Sequence, residues 1–147
     1  MIKISKKIEY SLIALQHIHQ KNDGELTTAR ELVQKFDIPF DTTSKVLQQL
    51  NSSKILSSIQ GSKGGYFLDK ELASISYMEL CRVIEKKSFY LDCGPCTISD
   101  NCNITATVIN LNSAAIDFFE SLSLEQLLDY PQLINKTSNI NQIGAHE

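Results

Sequence analysis

The chain has 147 residues, with 14 Lys and Arg against 17 Asp and Glu, a net charge of −3 and four cysteines. With 42% hydrophobic and 21% charged residues it has the composition of a soluble globular protein, long enough to bury one domain's core without disulfide staples. No apolar run approaches the roughly 18 residues of a membrane span, and the start, MIKISKKIEYSL, lacks both a long apolar segment and a small-residue cleavage site, so neither a membrane anchor nor a signal peptide is expected.

The compartment this implies is the cytoplasm, where clustered cysteines point to metal or redox chemistry before they point to disulfides. The net charge hides an asymmetry. Residues 1–70 carry ten Lys/Arg against seven Asp/Glu, and residues 71–147 carry four against ten. An anionic partner is therefore expected to meet the front half.

Residues 4–20 repeat apolar side chains at Ile4, Ile8, Leu12, Leu15 and Ile18, the spacing of one helix face, and Asn22-Asp23-Gly24 ends that helix. Thr28 followed by Glu31 reads as a capping box that opens a short helix to about Lys35. Pro39 then starts a helix that runs to about Asn51, with Thr43, Val46, Leu47 and Leu50 on its inner face. In "ILSSIQGSKGGYFL", residues 55–68, the period changes and the glycines from Gly61 to Gly65 predict a β-hairpin tip.

A fourth helix fits residues 76–86, and Cys81 within it reads as a buried, inert thiol. Cys93, Cys96 and Cys102 follow in the loop "CGPCTISDNC". A long helix then begins near Asn103. Its apolar residues Ile104, Val108, Leu111, Ala115, Phe118 and Leu122 recur every 3.5 residues on average, the seam of a coiled coil, which needs a partner. A second copy of the chain is the simplest one. A short helix near 123–129 comes next, and the polar tail 131–147 reads as mobile.

Two helices joined by a turn and followed by a two-stranded wing form a DNA-binding arrangement. The third helix of the chain is expected in the major groove, with Asp41, Thr42, Ser44 and Lys45 outward in its first turns, just after Pro39. Backbone N–H groups at Thr28 and Ala29 suit a phosphate, and the wing tip, Gln60, Ser62, Lys63 and Gly64, suits the backbone or minor groove. The Cys-x2-Cys-x5-Cys spacing supplies three soft ligands and leaves zinc, an iron–sulfur cluster or a thiol redox switch open. No catalytic constellation is seen: His17 and His19 have no partner nucleophile nearby in sequence, and His146 lies in the tail.

"KISKKIEYSLIAL", "IPFDTTSKVLQQLNSSKIL" and the wing "IQGSKGGYFL", followed by the thiol loop and long helix, resemble the winged-helix regulators typified by IscR, NsrR and RirA over residues 2 to 129. The resemblance implies a mainly α fold: a winged helix-turn-helix domain with a small β-hairpin wing, and a long C-terminal dimerisation helix. It implies a homodimeric transcriptional regulator, a repressor, of a double-stranded DNA operator, controlled by an iron–sulfur cluster (4Fe–4S or 2Fe–2S). Cys93, Cys96 and Cys102 match the cluster ligands, although the first gap is shorter than in well-known members. Thr105 stands where IscR-like members have histidine, and Glu9 is the position nearest the carboxylate that NsrR-like members contribute from the other subunit. Gln60 stands where the family often has a wing arginine. The expected organisation is a DNA-binding domain at 1–75, a cluster loop and dimerisation helix at 76–130, and a tail at 131–147. Two alternatives are a cluster-free regulator that senses through oxidation of the same thiols, and a small iron–sulfur carrier that does not read DNA.

Overall fold

The computed structural model describes residues 4–21, 23–86 and 102–129. Cys93, Cys96 and the tail expected to be mobile lie outside the described residues. The order of elements is α1 (Lys6–His19), α2 (Ala29–Phe36), α3 (Phe40–Ser52), β1 (Leu56–Ile59), β2 (Gly65–Leu68), α4 (Tyr77–Glu85), α5 (Thr105–Ser121) and α6 (Leu124–Leu128), with one 3-10 turn at Leu72–Ser74.

Helix α1 starts where Ser5 accepts a hydrogen bond from the Ile8 amide, meeting one of the N–H groups that a helix start leaves open. Its buried face is Ile8, Ala14, Leu15 and Ile18, with Leu12 half-buried beside them. Ile4, expected on that face, precedes the helix and is exposed. In α3 the expected inner face holds without exception: Thr43, Val46, Leu47 and Leu50 are all fully buried. Pro39 caps α3 with no side-chain bond, and the Thr43 hydroxyl donates to the Pro39 carbonyl at 2.8 Å.

The hairpin pairs Leu56 with Leu68 and Ile59 with Gly65, so Gly65 opens the second strand and does not belong to the turn. A side chain at Gly64 would place its Cβ 2.1 Å from the Ile59 carbonyl oxygen, and one at Gly65 would lie 2.9 Å from the Thr27 oxygen. These two glycines let the wing fold tightly and let its second strand approach the chain ahead of α2.

One core joins these elements. Ile8 and Leu15 of α1, Leu32 of α2 and Leu47 of α3 share it with Leu80 and Ile84 of α4 and Leu124 of α6. Helix α6 reaches it because residues 75–77 and 122–124 pair as a short antiparallel bridge, Tyr77 N to Leu122 O and Leu124 N to Ile75 O, each 2.8 Å. Its start is a full capping box between Ser123 and Gln126.

Helix α5 begins at Thr105, two residues beyond the expected start, and none of its residues is buried. It leans on α4 through a Tyr77–Phe119 ring contact at 5.2 Å and an Arg82–Glu120 ion pair. Ile104, Leu111 and Phe118 are 50%, 57% and 57% exposed, and Val108, Ala115 and Leu122 are half-buried. Burying an aliphatic or phenylalanine side chain is worth about 1.5–3 kcal/mol, so this uncovered stripe is a large unspent contribution in a single chain. Among the described residues no helix is long and apolar enough to cross a membrane.

Candidate DNA interface and thiol site

The outer side of α3 presents Asp41, Lys45 and Gln48 to solvent, with Thr42 and Ser44 half-buried at its two margins. Thr42 faces the cleft that α3 forms with α4. Phe40, at the first turn of α3, is 51% exposed. Phe40 follows Pro39 and sits three residues before the inner-face Thr43, so no motif in the sequence singles it out.

Thr28 accepts from the Glu31 amide at 3.1 Å, so half of the expected capping box forms. The reciprocal half does not. The Glu31 carboxylate turns toward α1, where His17 Nε2 lies 2.7 Å from Oε1 and Lys21 Nζ lies 2.7 Å from Oε1 and 3.0 Å from Oε2. Lys35 donates to His17 Nδ1 at 3.3 Å, and Phe36 meets the imidazole edge-on at 5.6 Å. One tautomer, with the hydrogen on Nε2, satisfies both contacts. His17 therefore has partners after all, from α2. Burial pushes the Glu31 carboxyl up, but the bonds from Lys21 and His17 outweigh it and hold the group below the ordinary glutamate range. His19 lies 3.3 Å from Asp129 at the end of α6.

The wing is bolted to α2. Thr27 N donates to Tyr66 O at 2.9 Å and Tyr66 N to Thr27 O at 2.8 Å, an antiparallel bridge one residue before the α2 cap. Thr28 and Ala29 thus face Gln60, Gly61 and Gly64 across a narrow crevice. Ser62 and Lys63 form the exposed tip. The structure brings the α2 start and the wing together, and sets α3 beside α2 through the shared core.

Cys102 is half-buried just ahead of α5. Its thiol is drawn below the usual range, first by the Thr105 hydroxyl and then by the backbone N–H groups of Ile104 and Thr105. Thr105, the residue in the place of a family histidine, is thus the first cause of that shift, and its hydroxyl also donates to the Cys102 carbonyl at 3.3 Å. Cys81 is half-buried and packs on the core; burial pushes its thiol up, as suits an inert residue. Its neighbour Tyr77 is pushed up to about 12, again chiefly by burial. Glu9 sits on α1, half-exposed, with its carboxylate 2.7 Å from Lys6 Nζ. Among the described residues no three His, Cys, Asp or Glu side chains gather as a metal site. Of the expected ligands, only Cys102 and Glu9 fall in the described part.

The family model described as Rrf2, iron-dependent transcriptional regulator, matches residues 4–130. The chain is 27% identical over 135 residues to the HTH-type transcriptional regulator NsrR of Oceanobacillus iheyensis, covering 86% of this chain and 90% of that protein. Among solved structures it resembles CymR, the global cysteine regulator of B. subtilis, with a TM-score of 0.69 at 23% identity over 90% of this chain and 100% of that one. It also resembles the T. potens IscR, with a TM-score of 0.68 at 19% identity over 90% of each chain. These two likenesses concern the fold. The helix-turn-helix, the glycine wing bolted to α2 and the match across residues 4–130 place this chain in the Rrf2 family of DNA-binding transcriptional regulators, and not among enzymes.

Proposed function

We propose that the protein is a homodimeric cytoplasmic repressor whose operator binding is controlled by an iron–sulfur cluster. The ligands are Cys93, Cys96 and Cys102 of one protomer and Glu9 of the partner subunit. The observation that carries this reading is the Cys102 thiol. It sits at the root of the helix whose apolar stripe lacks a cover, and hydrogen bonds from the Thr105 hydroxyl and then the backbone N–H groups of Ile104 and Thr105 draw it below the usual range. A thiolate is the species that ligates iron, and three thiolates suit cluster chemistry. Glu9 fits the remaining position because its carboxylate is held among the described residues by Lys6, on its own helix at the surface.

When bound, the cluster supplies iron that oxidants or nitric oxide reach, and so a signal. The chain's own residues convert that signal. Glu9 belongs to α1, which shares its core with α3, and Cys102 belongs to the root of α5. A tie between Glu9 of the partner subunit and Cys102 sets the spacing of the two α3 helices, and a two-fold operator reads that spacing. On DNA, α3 offers Asp41, Thr42, Ser44 and Lys45 to the major groove after Pro39. Thr28 and Ala29 offer the α2 start to phosphate, and Gln60, Ser62, Lys63 and Gly64 form the wing contact.

A second reading uses the same observation. A lowered Cys102 thiol is also reactive toward oxidants, so a cluster-free dimer that switches through its loop thiols has the same support. Iron and acid-labile sulfide counted per chain in protein purified without oxygen separate the two readings.

A further inference from the structure

Helices α3 and α4 and the first turn of α1 enclose an open cleft of about 680 Å3. Its ionisable lining among the described residues is cationic: Lys7 from α1, Lys45 from α3, and Arg82 and Lys86 from α4, with no carboxylate among them. Arg82 is paired with Glu120, whereas Lys7, Lys45 and Lys86 have no ion-pair partner among the described residues. Three elements distant in sequence thus bring unpaired like charges to one concavity, which focuses a positive potential there.

The walls are held apart at a set distance. Gln49 Nε2 donates to the Ile84 carbonyl at 3.2 Å and ties α3 to α4. Lys86 occupies the left-handed cap of α4, φ 53°, with its amide bonded to Arg82 O at 3.2 Å. The cleft follows α3 from Thr42 to Ser52, a rise of about 15 Å. Phosphates of one DNA strand recur about every 3.4 Å along the duplex axis, so such a length meets several of them. Thr42, Lys45 and Gln48 line the cleft and also belong to the outer side of α3, so a strand that borders the major groove runs into it.

We propose that this cleft is a phosphate-binding site for the DNA strand beside the bases that α3 reads, with Lys7 and Lys86 as cations contributed from outside the helix-turn-helix. The inference rests on the DNA-reading role of α3. It adds a footprint on α1 and α4, so that α4, the helix that precedes the thiol loop in the chain, also holds the operator backbone.

The test uses Lys7→Gln, Lys86→Gln and the double variant of the full chain, titrated against a short mixed-sequence duplex by fluorescence anisotropy at a series of salt concentrations. Each single variant should lower the slope of log K against log salt by about 0.9, and the double variant by about twice that. Lys86→Arg should keep the wild-type slope. Both positions are at the surface, and unchanged melting temperatures check that the variants fold. A double variant with the wild-type slope, while Lys63→Ala at the wing reduces it, overturns the proposal. So does a double variant that binds more tightly, since the cleft would then hold an acidic segment of the protein itself. Wild-type protein that binds no duplex at low salt overturns the DNA-reading role as well, and is told apart by that.

Discussion

His17 on α1 and Glu31 on α2 meet at 2.7 Å, and the contact uses the carboxylate that a capping box would have kept at the helix start. The imidazole is 8% exposed in its side chain, so its polar atoms depend on Glu31 and Lys35. Glu31→Ala leaves the buried imidazole without its acceptor and Lys21 without its carboxylate, and should cost about 1–3 kcal/mol in urea unfolding. Glu31→Gln, which keeps the shape, should cost less.

The same pair sets a pH dependence. The folded Glu31 carboxyl lies below its ordinary range, so its contribution to stability is complete above the unfolded value and is lost as pH falls through the folded one. Wild-type stability should therefore fall on the acid side more steeply than that of Glu31→Gln. Parallel acid limbs for the two proteins, followed by urea midpoints across pH 2 to 6, would show that Glu31 is not the group responsible.

The wing should be intolerant of a side chain at Gly64. A Cβ there meets the Ile59 carbonyl, so Gly64→Ala must open the turn that carries Ser62 and Lys63. The tip is exposed and remote from the buried side chains, so the melting temperature should change little while duplex affinity falls. Gly65→Ala should be worse in stability, because its Cβ strikes residue 27 and loosens the bridge to α2.

The α5 stripe predicts a dimer that one charge breaks. Leu111 is 57% exposed in the single chain, so Leu111→Glu leaves the fold of each protomer intact and removes only what covers the stripe. Sedimentation should show a dimer for the wild type and a monomer for the variant, with the same far-ultraviolet circular dichroism. A wild-type monomer at micromolar concentration contradicts the dimer.

On DNA, Thr42→Ala should relax sequence preference at one position by about 1–3 kcal/mol, and Lys63→Ala should weaken binding evenly across sequences and lower the salt slope. Selection from random duplexes with each variant checks both.

Local periodicity made most of the fold legible. The four inner residues of α3 and the hairpin follow from spacing and glycine placement, since each is set by neighbours within a few residues. Contacts over long sequence distance were not legible. Glu31 matches a capping box by spacing, yet its carboxylate goes to His17, fourteen residues upstream, because the His17 imidazole on α1 and the Lys21 ammonium just past its end hold it more strongly than one amide would. His17 lies on the same face as Ala14 and Ile18, and a histidine on an apolar face was the sign of a buried, partnered ring. Lys45 is expected on DNA from its place on α3, whereas Lys7 and Lys86 belong to no motif, and only the packing of α1, α3 and α4 gathers the three. At the thiol site the three cysteines stood out by spacing, whereas the support that Thr105 gives Cys102 depends on where α5 starts.

The central claim is that the loop thiols hold iron and sulfide and that Glu9 of the partner subunit completes the site. The most direct measurement is the ultraviolet–visible spectrum of protein purified without oxygen, with iron and acid-labile sulfide counted per chain, repeated for Cys102→Ser and Glu9→Ala. The wild type should show visible charge-transfer absorption with iron and sulfide in matching amounts. Cys102→Ser should lose it, and Glu9→Ala should hold it less stably while remaining dimeric. Wild-type protein that takes up zinc stoichiometrically, or that reconstitutes no iron under these conditions, contradicts the claim.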